Sequence, residues 1–264
     1  MFFVAGPCVI ESEEMVLDVA RELRAVAERF SVEIIFKASY DKANRTSIRS
    51  FRGPGLEEGL RILRRVREEV GLRVLTDVHD VHDIPAVAEA VDVVQIPAFL
   101  SRQTDLLVNA GRYARVVNVK KAQFMAPWDV KHAVEKVRSG GNVEVWITER
   151  GTTFGYNDLV VDMRGLVWMR REGLTVLYDA THSLQVLSGR GASSGGYRDL
   201  VPHLLRGAVA VGVDGVFAEV HPDPPRALSD SATQIPLAKF PRVVEMALEI
   251  RRAASRWYGF DLKP

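Results

Sequence analysis

The chain has 264 residues, of which 47% are hydrophobic and 26% charged, with a formal net charge of +1. Such a composition supports one large core, while near-neutrality excludes a protein that grips nucleic acid or a membrane surface through a broad positive field. Its single cysteine, Cys8, excludes an intramolecular disulfide. Residues 1–10 carry no basic segment ahead of an apolar run, and no stretch approaches the ~18 apolar residues of a membrane span. A soluble cytoplasmic protein with a small-molecule partner is therefore expected.

Along the chain one unit recurs: a short Val- and Ile-rich run, a polar or charged residue at its end, then a longer amphipathic segment. The runs fall at 2–4, 34–36, 74–75, 93–96, 116–119, 145–147, 176–177 and 216–217. The segments between and after them, 13–30, 55–70, 81–90, 104–111, 129–139, 163–172, 198–211 and 236–257, read as helices. Continuous apolar strands alternating with helices imply a parallel sheet covered by those helices. Eight repeats select a (β/α)8 TIM barrel over an open doubly wound sheet. No linker or charge block divides the chain, so residues 1–264 are expected to form one catalytic domain.

A barrel places its chemistry at the C-terminal ends of its strands. Here the run ends present Cys8, Lys37, Asp77 with His79, Gln95, Lys120 with Lys121, Glu149 with Arg150, Asp179 with His182, and Glu219 with His221. Capping explains any one of these. Eight polar or reactive ends together are better explained by a site. The most uneven local charge lies just past the second run, in KASYDKANRTSIRSFRG at 37–53, where Lys37, Lys42, Arg45, Arg49 and Arg52 face only Asp41. Clustered cations call for an anionic ligand, although a solvated loop has the same composition.

Two constellations follow. Cys8, His182, Glu219 and Asp230 come from strand ends that become neighbours when the barrel closes. Thiolate, imidazole and carboxylate together suit zinc, iron(II), cobalt or manganese. The alternatives are a buried small cysteine and a satisfied core histidine, and His79, His82 and His221 compete as ligands. Lys37, Lys42, Arg45, Lys120 and Arg150 converge on the same mouth, which fits two phosphorylated substrates; salt bridging to Asp77, Asp179 and Glu149 is the structural alternative. A glycine and serine run, GRGASSGG at 189–196, lacks the lysine of a P-loop and reads as a lid or as a plain turn.

With these residues assembled, the chain resembles the 3-deoxy-D-manno-octulosonate 8-phosphate synthase family over nearly its whole length. The resemblance rests on an ordered set of tags: AGPC, FKASYDKANRTS, RGPG, TDVH, QIPAFLSRQTDLL, NVKKAQF, APWD, TERGTTFGYN, DATHSLQ and ALSDSATQ. It implies condensation of phosphoenolpyruvate with arabinose 5-phosphate. A sister family, 3-deoxy-D-arabino-heptulosonate 7-phosphate synthase, uses erythrose 4-phosphate and usually shows a KPRTS-type loop where this chain has Lys42-Ala43-Asn44-Arg45-Thr46-Ser47. A non-catalytic sugar-phosphate binding protein is the other alternative.

Cys8 stands where metal-independent members carry asparagine, so the resemblance implies a divalent metal held by Cys8, His182, Glu219 and Asp230. It further implies that Lys42, Lys120 and Arg150 bind phosphoenolpyruvate with Lys37 and Gln95 close by. Asn44 and Asp77 would meet the sugar hydroxyls, and Arg45 with Thr46 the sugar phosphate. His182 and Asp230 are candidate proton handlers. Arg102 would reach a neighbouring subunit's sugar phosphate, implying a homotetramer. Two departures stand out: LSGRGASS at 187–194 where a PGG-type sequence is common, and Ala122 where glycine is common.

Overall fold

The computed structural model describes residues 1–190 and 193–260. Its strands are β1 (Phe2–Gly6), β2 (Ile34–Lys37), β3 (Val74–Asp77), β4 (Val93–Ile96), β5 (Val116–Lys120), β6 (Glu144–Glu149), β7 (Thr152–Phe154), β8 (Asp158–Val160), β9 (Thr175–Asp179), β10 (Gln185–Arg190), β11 (Ser193–Gly196), β12 (Gly215–His221) and β13 (Ile235–Pro236). Eight of them, β1–β6, β9 and β12, pair in parallel in that order. β12 returns to β1, with Gly6 opposite Glu219, and closes the barrel. The expected (β/α)8 architecture is thus present, and each expected run lies inside one barrel strand.

The helices are α1 (Glu13–Phe30), α2 (Leu56–Arg65), α3 (Ile84–Ala90), α4 (Thr104–Tyr113), α5 (Val130–Gly140), α6 (Met163–Arg171), α7 (Val201–Val211) and α8 (Phe240–Ala254). Helix α1 starts where the Ser12 hydroxyl accepts from the Met15 amide at 3.2 Å and ends at Ser31, whose left-handed φ of 51° stops the winding. The helix expected over 55–70 is interrupted: α2 ends at Arg65 and a π-helical turn occupies Val66–Val70. Three-residue 3-10 turns lead into α7 and α8, so both helices begin later than expected.

Two hairpins decorate the mouth, β7 with β8 and β10 with β11. The second contains the glycine and serine run; residues 191 and 192, on which the lid reading falls, lie outside the described residues.

The apolar face of the helices packs on the outside of the sheet. A second core fills the barrel floor and takes one residue from each strand: Val4, Ile35, Leu75, Val93, Val116, Trp146, Leu177 and Phe217. Because side chains alternate faces with a period of two, the next inward layer follows two residues later. It reads Gly6, Lys37, Asp77, Gln95, Asn118, Thr148, Asp179 and Glu219, so the interior changes from apolar to polar within one step of every strand. All seven polar members are buried. Gly6 leaves room: a Cβ there would lie 2.0 Å from the Lys37 carbonyl oxygen.

Candidate active site

Above that polar layer, with Lys37, Asp77 and Gln95 among its lining residues, a cavity of about 600 Å³ opens at the C-terminal end of the barrel. Lys37 Nζ, 2% exposed, donates to Glu219 Oε1 and to the Cys8 carbonyl, both at 2.8 Å. Gln95 donates to Asn118, and Asn118 to Thr148, each at 2.7 Å, which fixes three neighbouring strands in register. Asp77 accepts from Ser39 Oγ at 2.5 Å and lies 3.0 Å from His79 Nε2. Burial works against ionisation of Asp77, yet the His79 hydrogen bond and the charges of Lys37 and Lys42 hold its carboxyl far below the usual range.

On one side of the floor three donor groups meet, Cys8, Glu219 and Asp230, with His182 beside two of them but outside the three-residue cluster. Cys8 Sγ lies 3.3 Å from Asp230 Oδ2. One ligand atom each from Cys8, Glu219 and Asp230 falls within 4.8 Å of the others. His182 Nε2 stands 3.5 Å from Glu219 and 3.6 Å from Asp230. Two atoms each about 2.0–2.3 Å from one ion are separated by at most about 4.6 Å, so the spacing is close to that of a common first shell. Burial, then the charges of Asp230 and Glu219, push the Cys8 thiol well up. Burial opposes charge on Glu219 too, but His182, Lys37 and Lys42 hold its carboxyl at about 2.

Glu219 Oε2 is buried without a hydrogen-bond partner. An orphaned carboxylate oxygen beside a thiol and an imidazole is what a divalent cation would satisfy, and the residues fit one. Asp230 also adopts a left-handed backbone, φ 46°, a strained conformation that turns its side chain toward Cys8. The rival histidines lie elsewhere: His79 pairs with Asp77, His221 faces Glu11 at 3.4 Å, and His82 is exposed.

The cations occupy the rest of the cavity. Lys42, Asn44, Arg45 and Thr46 line it from the loop after β2, and Lys120 and Arg150 from the ends of β5 and β6. Arg49 and Arg52 of the basic stretch are exposed, Arg52 being paired with Asp41. Lys120 forms a tight ion pair with Asp179, so the salt-bridge alternative holds for this lysine. Burial lowers the Lys120 ammonium to about 8, with Asp179 opposing the drop. Asp179 in turn lies 2.9 Å from His182 Nδ1 and accepts from the His182 amide at 2.8 Å, orienting the imidazole.

Arg150 donates to Gln185 at 2.7 Å and Arg45 to Ser229 Oγ at 2.7 Å. Arg150 Nη1 and Arg45 Nε have no partner although both are buried. Arg102 is not brought into this cavity; it is exposed, and its carbonyl accepts from Lys136. Reasoning on run ends misses Asn118, which sits inside an apolar run, and Thr148, which follows its run but is passed over for the charged Glu149 and Arg150 beyond it. Counting two residues on from each floor position would have found them. Run-end reasoning places His79 correctly in the cavity, but misses Gln123 and Tyr156 as parts of the wall.

Comparison with known proteins places this geometry in a family. The chain is 56% identical over 247 residues to the 2-dehydro-3-deoxyphosphooctonate aldolase of Syntrophotalea carbinolica, covering 94% of this chain and 89% of that one. The protein of the same name from Geobacter sulfurreducens is 53% identical over 245 residues, 93% and 90% of the two chains. That from Xanthomonas oryzae pv. oryzae is 52% identical over 260 residues, 98% and 94%. A family model described as the DAHP synthetase I family matches residues 1–255. With the match running through every barrel strand, the chain belongs to the DAHP synthetase I family.

Proposed function

We propose that this chain condenses phosphoenolpyruvate with D-arabinose 5-phosphate and water, releasing 3-deoxy-D-manno-octulosonate 8-phosphate and inorganic phosphate. The observation that carries the reading is a pair of buried guanidinium N–H groups without partners, on Arg150 and Arg45, in the wall of one cavity. Unpaired buried donors of this kind are expected where anionic groups dock, and two of them on separate elements match two phosphorylated substrates. The names of the relatives agree with it.

In this reading Lys42, Lys120 and Arg150 hold phosphoenolpyruvate, with Lys37 and Gln95 fixing the floor beneath it. Asn44 and Asp77 orient the sugar hydroxyls, and Arg45 with Thr46 takes the sugar phosphate. C3 of phosphoenolpyruvate attacks the sugar aldehyde, water adds at C2, and phosphate leaves by C–O cleavage. Holding both phosphates in register supplies orientation, and the surrounding cations offset the developing negative charge. His182 and Asp230 move the protons, with Asp179 holding the imidazole in place. Cys8, His182, Glu219 and Asp230 would hold a divalent metal such as zinc, iron(II), manganese or cobalt, which when bound polarises an oxygen in the site. Arg102, exposed and away from its own cavity, would serve a neighbouring subunit of a homotetramer.

The test is phosphate release from phosphoenolpyruvate with arabinose 5-phosphate against erythrose 4-phosphate, with and without chelator. Release with the five-carbon sugar, lost on chelation and restored by a divalent ion, is expected. A preference for erythrose 4-phosphate would reassign the substrate, and tight binding of both ligands without release would make this a binding protein.

A further inference from the structure

Phe217 is one of the eight residues that plug the barrel floor, where its neighbours Leu177 and Val4 do nothing but fill space. Its ring differs in what lies above it. Lys120 Nζ stands 3.2 Å from the ring centroid and Lys37 Nζ 5.8 Å. The His182 ring, tilted by 53°, is 5.9 Å away. The ring is 1% exposed, so no water competes for its face. An aromatic face carries negative quadrupole charge, and its attraction for an ammonium is strongest where both are desolvated.

We propose that Phe217 is a positioning residue for substrate binding, supporting the Lys120 ammonium from below and keeping it cationic for the anion that docks above. The proposal rests on the reading of Lys120 as a phosphoenolpyruvate ligand. The groups that act on Lys120 come from every side of the barrel: Asp179 on β9 and Glu219 on β12 favour its charge, while Lys37 on β2 and burial oppose it. Asp179 alone does not secure the ammonium, because that carboxylate is shared with His182 and Thr181. The ring adds a stabilising contact that is much closer to Lys120 than to Lys37, 3.2 Å against 5.8 Å, and it cannot be titrated away.

A leucine at 217 retains apolar bulk and removes the π face. Phosphoenolpyruvate affinity of Phe217→Leu should fall by about threefold or more at pH 7, the scale of a desolvated cation–π contact. The pH above which affinity declines should also move down relative to wild type, whereas Phe217→Tyr, which keeps the ring, should retain the wild-type profile. The measurement is calorimetric titration with phosphoenolpyruvate from pH 6.5 to 9.5, after circular dichroism has shown each variant folded. Should Phe217→Leu not fold, Phe217→Met fills the same volume and carries the same test. A Leu or Met variant with the wild-type pH profile would overturn the proposal, as would a Tyr variant shifted as far as they are. Lys120→Met separates the two readings: if it binds phosphoenolpyruvate as wild type does, the assignment of Lys120 fails, and if it weakens binding while the Leu and Met variants do not, only the role of Phe217 fails.

Discussion

Lys120 is held between two opposing effects, burial that removes its proton near pH 8 and an Asp179 carboxylate that retains it. An anion binds the charged form, so the direction of its pH dependence is fixed. Below pH 8 the ammonium is already present and the dissociation constant for phosphoenolpyruvate should be flat. Above it every binding event must take up a proton, and the constant should rise by up to about tenfold per pH unit. Lys120→Met should lose this slope and bind about tenfold or more weakly at pH 7, as removal of a charged hydrogen bond predicts. Calorimetry across the range reads both effects. Lys120 was legible in the sequence because it interrupts an apolar run. Phe217 was not, since it continues one and a phenylalanine among valines reads as core until its facing side chains are known.

At the scale of elements, the point of least tolerance is the end of β1. Gly6 occupies the polar layer where every other strand contributes a side chain, and a methyl group there would meet the Lys37 backbone. Gly6→Ala should cost roughly 1–3 kcal/mol in urea unfolding, as overpacking of a filled interior does. Turnover should fall with it, because the same shift moves Lys37 away from Glu219. The barrel strands were legible because burial on both faces leaves unbroken apolar runs. Helix starts and stops were less so: the π turn at Val66–Val70 follows α2 without any glycine or proline to mark it. The β7 and β8 hairpin was invisible, as Thr152, Thr153 and Phe154 are all exposed and need no alternation of polarity. Glycines and serines in β10 and β11 concealed a second hairpin in the same way.

For the whole molecule, the cluster of buried Cys8 and Glu219 with half-buried Asp230 makes stability depend on what compensates it. Stripping divalent metal with a chelator should lower the midpoint of thermal unfolding. Restoring zinc at about a hundredfold above its dissociation constant should return about 2.7 kcal/mol by mass action, a shift of several degrees for a chain of this size. In Cys8→Asn, which lacks the thiolate, the zinc-induced rise should be much smaller; a midpoint indifferent to zinc in the unaltered protein would remove the case for a metal. Eight repeats were enough to read the barrel from the sequence, but the convergence of its first and last strands on one cluster required the closed ring. That seam joins residues more than two hundred positions apart, Gly6 against Glu219. Cys8 follows the first barrel strand, whereas His182, Glu219 and Asp230 come only after the seventh. The cluster therefore exists only once the ring has closed, so barrel closure and assembly of the site are a single event.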